Sequence, residues 1–126
     1  MNSKRKGNAA ELELLHLLEA RGLPATRNLQ QWVGGKGNPD ISLPALHVEV
    51  KRTETLRLSE ALNQAQGDAA PGTLPVVMHR MNRGRWIAIM GLPDFLTLYG
   101  PFLRLYVEAR DREIDAEYER VRASEL

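Results

Sequence analysis

Apolar residues in this chain change their spacing several times along its 126 residues, and that switching limits the folds open to it. Between Asn8 and Arg21, Leu12, Leu15 and Leu18 recur at three, with Leu14 and Leu17 between them, the spacing of a helix with a broad buried stripe. Gly22 then ends it as a C-terminal cap. "PATRNLQQWV" alternates loosely between Pro24 and the Gly34, Gly35 pair and reads as a strand. "GGKGN" reads as a flexible loop. "DISL" and "ALHVEVKR" are two strands joined around Pro44 and Ala45. Residues 57–69, "RLSEALNQAQGDA", suit a helix capped by Ser59 and ended by Gly67, Pro71 and Gly72. "TLPVVMHRM" and "GRWIAIMGL" form a second hairpin through "NRG", whose Asn and Gly tolerate positive φ. "LPDFLTLYG" is a short helix with Pro93 in its first turn, and a separate charged helix starts near Pro101.

Helix, three strands, helix, two strands and helix describe an α/β fold with a mixed central sheet and helices on both faces. The expected core is Leu12, Leu15, Leu18, Ile41, Val48, Val50, Leu62, Val76, Val77, Ile87 and Ile89. Residues 1–126 are expected to form a single domain, with a charged helical extension from about residue 101. Absence of cysteine removes disulfides, thiolate zinc sites and cysteine nucleophiles together, so any metal must sit on oxygen or imidazole. No stretch approaches the roughly 20 apolar residues of a membrane span, and the N-terminus lacks the features of a signal peptide. The expected compartment is cytoplasmic, with no membrane partner.

Charge is unevenly spread although the net is +1. Residues 1–52 carry eight Lys and Arg against five Asp and Glu, whereas residues 108–126 carry four against seven. The basic share accompanies the stretch "NPDISLPALHVEVKR", residues 38–52, which holds Asp40, Glu49 and Lys51. A turn centred between Pro44 and Ala45 pairs Ile41 with Val48 and sets Asp40 against Glu49. Directly opposed residues share one face with Cβ atoms about 4.5 to 5.5 Å apart. Alternation then puts His47, Glu49 and Lys51 together on that face and Val48 and Val50 on the other. Two carboxylates so placed repel one another unless a positive group lies between them. A hard divalent cation such as Mg²⁺ fits, because it takes one or two carboxylates and completes its shell with water or phosphate oxygens. Lys51 could then orient water or stabilise negative charge on a phosphate under attack, an arrangement suited to phosphodiester hydrolysis. The plain alternative is a solvated polar strand face. Glu11, on the helix opened by Lys4, Arg5, Lys6 and Gly7, is a third carboxylate that packing could bring to the same place, or an exposed helix residue favoured by the dipole. His16, His47 and His79 show no metal-ligand spacing, although His47 lies near the site.

"PD" at Pro39-Asp40 and "EVK" at Glu49-Val50-Lys51 resemble the signature of the PD-(D/E)xK nuclease superfamily. Within it, Lys6-Gly7 followed by Glu11, Arg27 and Gly34-Gly35 before the PD, and Gln64 in "NQAQG" resemble the archaeal-type Holliday junction resolvases, over residues 3–91. Leu12 departs from the Arg that often follows the helix Glu in that family. The resemblance implies a restriction-endonuclease-like sheet flanked by helices. It also implies a Mg²⁺-dependent endonuclease, with Mn²⁺ able to substitute, that acts as a homodimer to nick opposed strands of a four-way DNA junction. In those terms Glu11, Asp40 and Glu49 hold metal, Lys51 is the catalytic lysine and Gln64 an auxiliary polar group. Lys4, Arg5, Lys6, Arg27, Lys36 and Arg52 are candidates for tracking phosphates, and Trp32 is either a junction wedge or packing. A homodimer interface has two candidates, the tail residues Val107, Ile114, Tyr118 and Val121, or "LPDFLTLYGPFLRLY". Two other readings stay open: a nuclease for flaps, mismatches or duplex ends, and a DNA-binding module without catalysis.

Overall fold

The computed structural model describes residues 3–28 and 38–125. The elements run α1 (Ser3–Ala20), β1 (Thr26–Arg27), β2 (Ile41–Leu43), β3 (Leu46–Arg52), α2 (Leu58–Asp68), β4 (Leu74–Arg80), β5 (Ile87–Ile89) and α3 (Leu92–Ser124). They form a mixed α/β architecture, a five-stranded sheet in the order β1-β2-β3-β4-β5 with three helices. The chain divides into two compact units, Met1–Gly91 and Leu92–Leu126. Among the described residues no helix is long and apolar enough to cross a membrane.

In the first unit β3 and β4 run parallel and the remaining neighbours antiparallel. A parallel pair needs a crossover, and α2 supplies it. Alternation along β3 gives the sheet two different faces. Val48 packs with Leu14 and Leu18 of α1, Ile41 and Val76, joined at the margin by Val50, Met78 and Trp86. On the other face Val77 packs with Ala61 and Ala65 of α2, with Leu62 and Ile89 alongside.

The β2–β3 register pairs Ile41 with Val48, Ser42 with His47 and Leu43 with Leu46, as the expected turn requires. Pro44 supplies the fixed φ that an opening turn position favours. Ala45 then takes φ 67°, uncommon for a residue with a Cβ. Its carbonyl accepts the Leu74 N–H at 2.8 Å, which ties the turn to the start of β4.

Several expectations from sequence are corrected. Leu12 is 43% exposed and Leu14 only 1%, because the ridge that meets the sheet is Ala10, Leu14 and Leu18, spaced by four, rather than the series at three. Ile87 is 45% exposed, on the edge strand β5, although Ile89 packs as expected. Helix α2 starts at Leu58 with Arg57 as its N-cap and no side-chain cap bond, so Ser59 lies inside the helix. In the β4–β5 loop Arg83, and not its Asn or Gly neighbour, carries the positive φ of 58°. The expected strand 24–33 is described only as Thr26–Arg27. Its later part, including Trp32, and the expected loop with Gly34, Gly35 and Lys36 lie outside the described residues.

The second unit is α3 alone. It runs unbroken through Pro101 where two helices were expected. Gly100 explains this, since proline disfavours helical geometry in the preceding residue partly through that residue's Cβ, which glycine lacks. Phe95 stacks on Tyr99 and Phe102 on Tyr106, with centroids 5.5 and 6.3 Å apart, and Tyr99 meets Phe102 across the proline in a tilted arrangement at 6.0 Å. No α3 residue is buried.

The assignment of the α1 ridge predicts different costs for two leucines one turn-face apart. In urea unfolding, Leu14→Ala should lose about 3 kcal/mol, and Leu12→Ala less than about 1 kcal/mol. Equal losses would place the wrong face of α1 on the sheet.

Candidate functional site

Asp40 lies just before β2, where two backbone hydrogen bonds fix it to the strand that carries Glu49. Its N–H donates to the Val48 carbonyl at 3.0 Å, and its Oδ2 accepts the Val50 N–H at 2.8 Å. Because those partners flank Glu49, Asp40 is held against it from both sides. Asp40 also anchors β1, its carbonyl accepting the Asn28 N–H at 3.1 Å.

Glu49 is 8% exposed. Burial raises its carboxyl first of all. The adjacent Asp40 carboxylate adds to this by repulsion and hydrogen bonding, and the two together outweigh the lowering by Lys51, taking Glu49 to about 8. His47 is 2% exposed, and its Nε2 shares a proton with Glu49 Oε1 at 2.8 Å. Burial lowers the His47 pKa, against opposing contributions from Asp68 and Asp40. Near neutral pH the His47–Glu49 pair is therefore held without net charge.

Lys51 follows on the same strand face and lines a cavity of about 170 Å³ together with Arg57, Glu60 and Gln64. Sequence spacing had placed Lys51 with Glu49, and helix α2 now brings Gln64 to the same side. Glu11 behaves differently. Its Oε2 accepts the Arg27 Nε–H at 2.9 Å, and Arg27 also donates to Asn8 Oδ1 at 3.1 Å. Burial raises the Glu11 pKa, the Arg27 hydrogen bond lowers it, and Asp40 raises it again. Glu11 is thus within electrostatic reach of Asp40 while paired to arginine.

The structure brings Asp40, Glu49 and Lys51 together, sets Gln64 beside Lys51, and leaves Glu11 at the margin on Arg27. Among the described residues no group of three or more His, Cys, Asp or Glu is disposed to hold a metal ion. Two hard carboxylates whose mutual repulsion is relieved by a proton are nonetheless a donor set that suits Mg²⁺, which is held by as few as one or two carboxylates. On that chemistry Asp40 and Glu49 fit the ion. Of the candidate phosphate contacts, Arg27 is engaged by Glu11, and Arg5, Lys6 and Arg52 line a separate cavity. The Lys4 side chain and Lys36 lie outside the described residues. Sequence reasoning missed Asp68, whose charge reaches His47 and Glu49 from the end of α2. Only the crossover connection reveals it.

Comparison of the chain with protein-family models, curated proteins and solved structures returned no match.

The raised Glu49 pKa has a defined consequence for stability. A carboxyl whose folded pKa exceeds its ordinary 4.5 stabilises fully below that value and loses the contribution as pH rises through about 8. Glu49→Gln should remove that loss. Its melting temperature should exceed wild type by about 5 °C or more at pH 8.5 and match it at pH 4. The His47 contribution runs in the opposite sense, lost as pH falls below the ordinary 6.5, and is present in both proteins. Parallel pH profiles for the two proteins would contradict the assignment.

Proposed function

We propose that this chain is a Mg²⁺-dependent, structure-selective endodeoxyribonuclease that resolves four-way DNA junctions by paired nicks. The observation that carries the reading is the Asp40–Glu49 pair, locked by the Val48 and Val50 backbone, with Lys51 two residues further along the same face. The PD and ExK residues, and the order of Glu11, Arg27 and Gln64 around them, support the same chemistry and a restriction-endonuclease-like sheet.

Asp40 and Glu49 would hold the ion, with Glu11 adjoining once released from Arg27, and Mn²⁺ would substitute. The ion supplies positive charge to the scissile phosphate and its leaving oxygen. The chain does the rest. The Lys51 ammonium stabilises negative charge on the attacked phosphate and orients the incoming water. The Gln64 amide, which shares the Lys51 cavity, positions the same water or a phosphate oxygen. His47, hydrogen-bonded to Glu49, fixes the carboxylate rotamer. Burial of His47 and Glu49 keeps bulk water from the inner side of the pair.

A junction with equivalent strands is matched by a C2 dimer carrying two equal sites. A homodimer is supported by α3, where Phe95, Leu96, Phe102, Leu105 and Tyr118 are all exposed. Arg5, Lys6 and Arg52, together with Arg27, supply positive charge for the DNA arms.

A labelled immobile four-way junction, incubated with and without Mg²⁺, tests the reading. Wild type should nick opposed strands only with Mg²⁺ and spare the linear arms. Asp40→Ala and Lys51→Ala should still bind and should cut at least about 100-fold more slowly. Binding by wild type without any nick would leave a DNA-binding module. Equal cutting of flaps or duplex ends would replace the junction as substrate while keeping the site.

A further inference from the structure

On the face of β3 opposite Glu49 and Lys51, a second cavity of about 680 Å³ lies against α1. Ala9 and Ala10 leave room on the helix side, and the polar groups facing it are Arg5, Lys6, Glu13, Arg52 and Asn82. Arg52 shares the strand parity of Val48 and Val50, so alternation sends it to the α1 side of the sheet. Its side chain is 16% exposed, and its Nη1 is buried with no hydrogen-bond partner among the described residues. The carboxylate nearest to Nη1, Glu54 Oε1, is 3.8 Å away, too far for a hydrogen bond, and already accepts the Asn82 N–H. Among the described residues the one acid lining the cavity is Glu13, and its Oε1 is taken by Trp86 Nε1 at 3.0 Å and by Arg80. Arg80 therefore neutralises Glu13, and the cationic groups of Arg5, Lys6 and Arg52 remain in excess.

A buried guanidinium N–H without an acceptor is unfavourable, because desolvation is not returned by a bond. A ligand that supplies the acceptor would return that cost. We propose that this cavity is a phosphate-binding site in which the Arg52 guanidinium donates to a phosphate oxygen while Arg5 and Lys6 neutralise its charge and Asn82 lines its mouth. Guanidinium suits phosphate through charge and planar donor geometry. The volume exceeds one phosphate and is in the range of small-molecule sites, so the ligand is a phosphate ester, either a free nucleotide or one residue of a nucleic-acid backbone. The site lies across the sheet from the Asp40–Glu49 pair and requires no hydrolysis. Under the nuclease reading it would grip a DNA arm away from the cut.

Thermal unfolding in inorganic phosphate, against sodium chloride of equal ionic strength, tests the site. Phosphate should raise the wild-type melting temperature above the chloride control. Arg52→Met should melt higher than wild type without phosphate, since a buried N–H without an acceptor is gone, and should show no phosphate shift. Arg5→Gln combined with Lys6→Gln, changes near the helix surface, should abolish the shift even if Arg52→Met does not fold. Two further arms identify the source. If duplex DNA binding weakens about tenfold or more in the double variant, the phosphate belongs to a nucleic-acid backbone. If it is unchanged while dAMP stabilises wild type only, the ligand is a free nucleotide. No shift beyond chloride in wild type, or a full shift in the double variant, overturns the proposal. Both readouts are independent of cleavage, so failure of the nuclease reading does not decide them.

Discussion

Everything at the candidate site depends on how the Asp40 backbone and side chain are bonded to β3. Its N–H reaches Val48 and its carboxylate reaches the Val50 N–H, so the residue between them, Glu49, is held against the Asp40 carboxyl group. The Pro44–Ala45 turn sets that geometry from one end, accepting a positive φ at Ala45 and fastening it to Leu74. The strain of an unusual turn residue and the repulsion of two acids are both retained. Sites that hold charge or bind a cation commonly concentrate such costs, because the surrounding sheet over-determines the local conformation.

The parallel β3–β4 pair organises the chemistry by separating the faces of one strand. Odd-numbered positions of β3 carry His47, Glu49 and Lys51 toward α2, where Gln64 and the charge of Asp68 meet them. Even-numbered positions carry Val48 and Val50 into the α1 core and end in Arg52 beside Arg5 and Lys6. One seven-residue strand thus supplies an acidic, proton-sharing side and a cationic side. Neither could be moved by a single register step without exchanging both, since a slip of one residue turns every side chain over.

Local sequence patterns were legible to different depths. The β2–β3 register and the shared face of His47, Glu49 and Lys51 followed from strand alternation about one turn, because period two leaves little freedom. Helix α1 was expected, and Leu15 and Leu18 pack as expected, but Leu12 is exposed and Leu14 is buried in its stead. With leucine at 12, 14, 15, 17 and 18, several stripes were available, and only the sheet selects the one through Ala10 and Leu14. Continuity of α3 depended on Gly100 preceding Pro101, where the proline signal alone argues for a break. The pairing of Glu11 with Arg27, and the approach of Asp68 to His47, join residues far apart in sequence. No spacing rule reports them; they follow from helix placement on the folded sheet.

The central claim is that burial, reinforced by Asp40 fixed against it, keeps Glu49 protonated near neutral pH. Carbon-13 NMR titration of the Glu49 side-chain carboxyl tests this most directly, in wild type and Asp40→Asn, with and without Mg²⁺. The account predicts a wild-type midpoint near 8 without Mg²⁺, displaced downward both by Asp40→Asn and by Mg²⁺. A midpoint at the ordinary 4.5 in metal-free wild type, unmoved by either change, would contradict it.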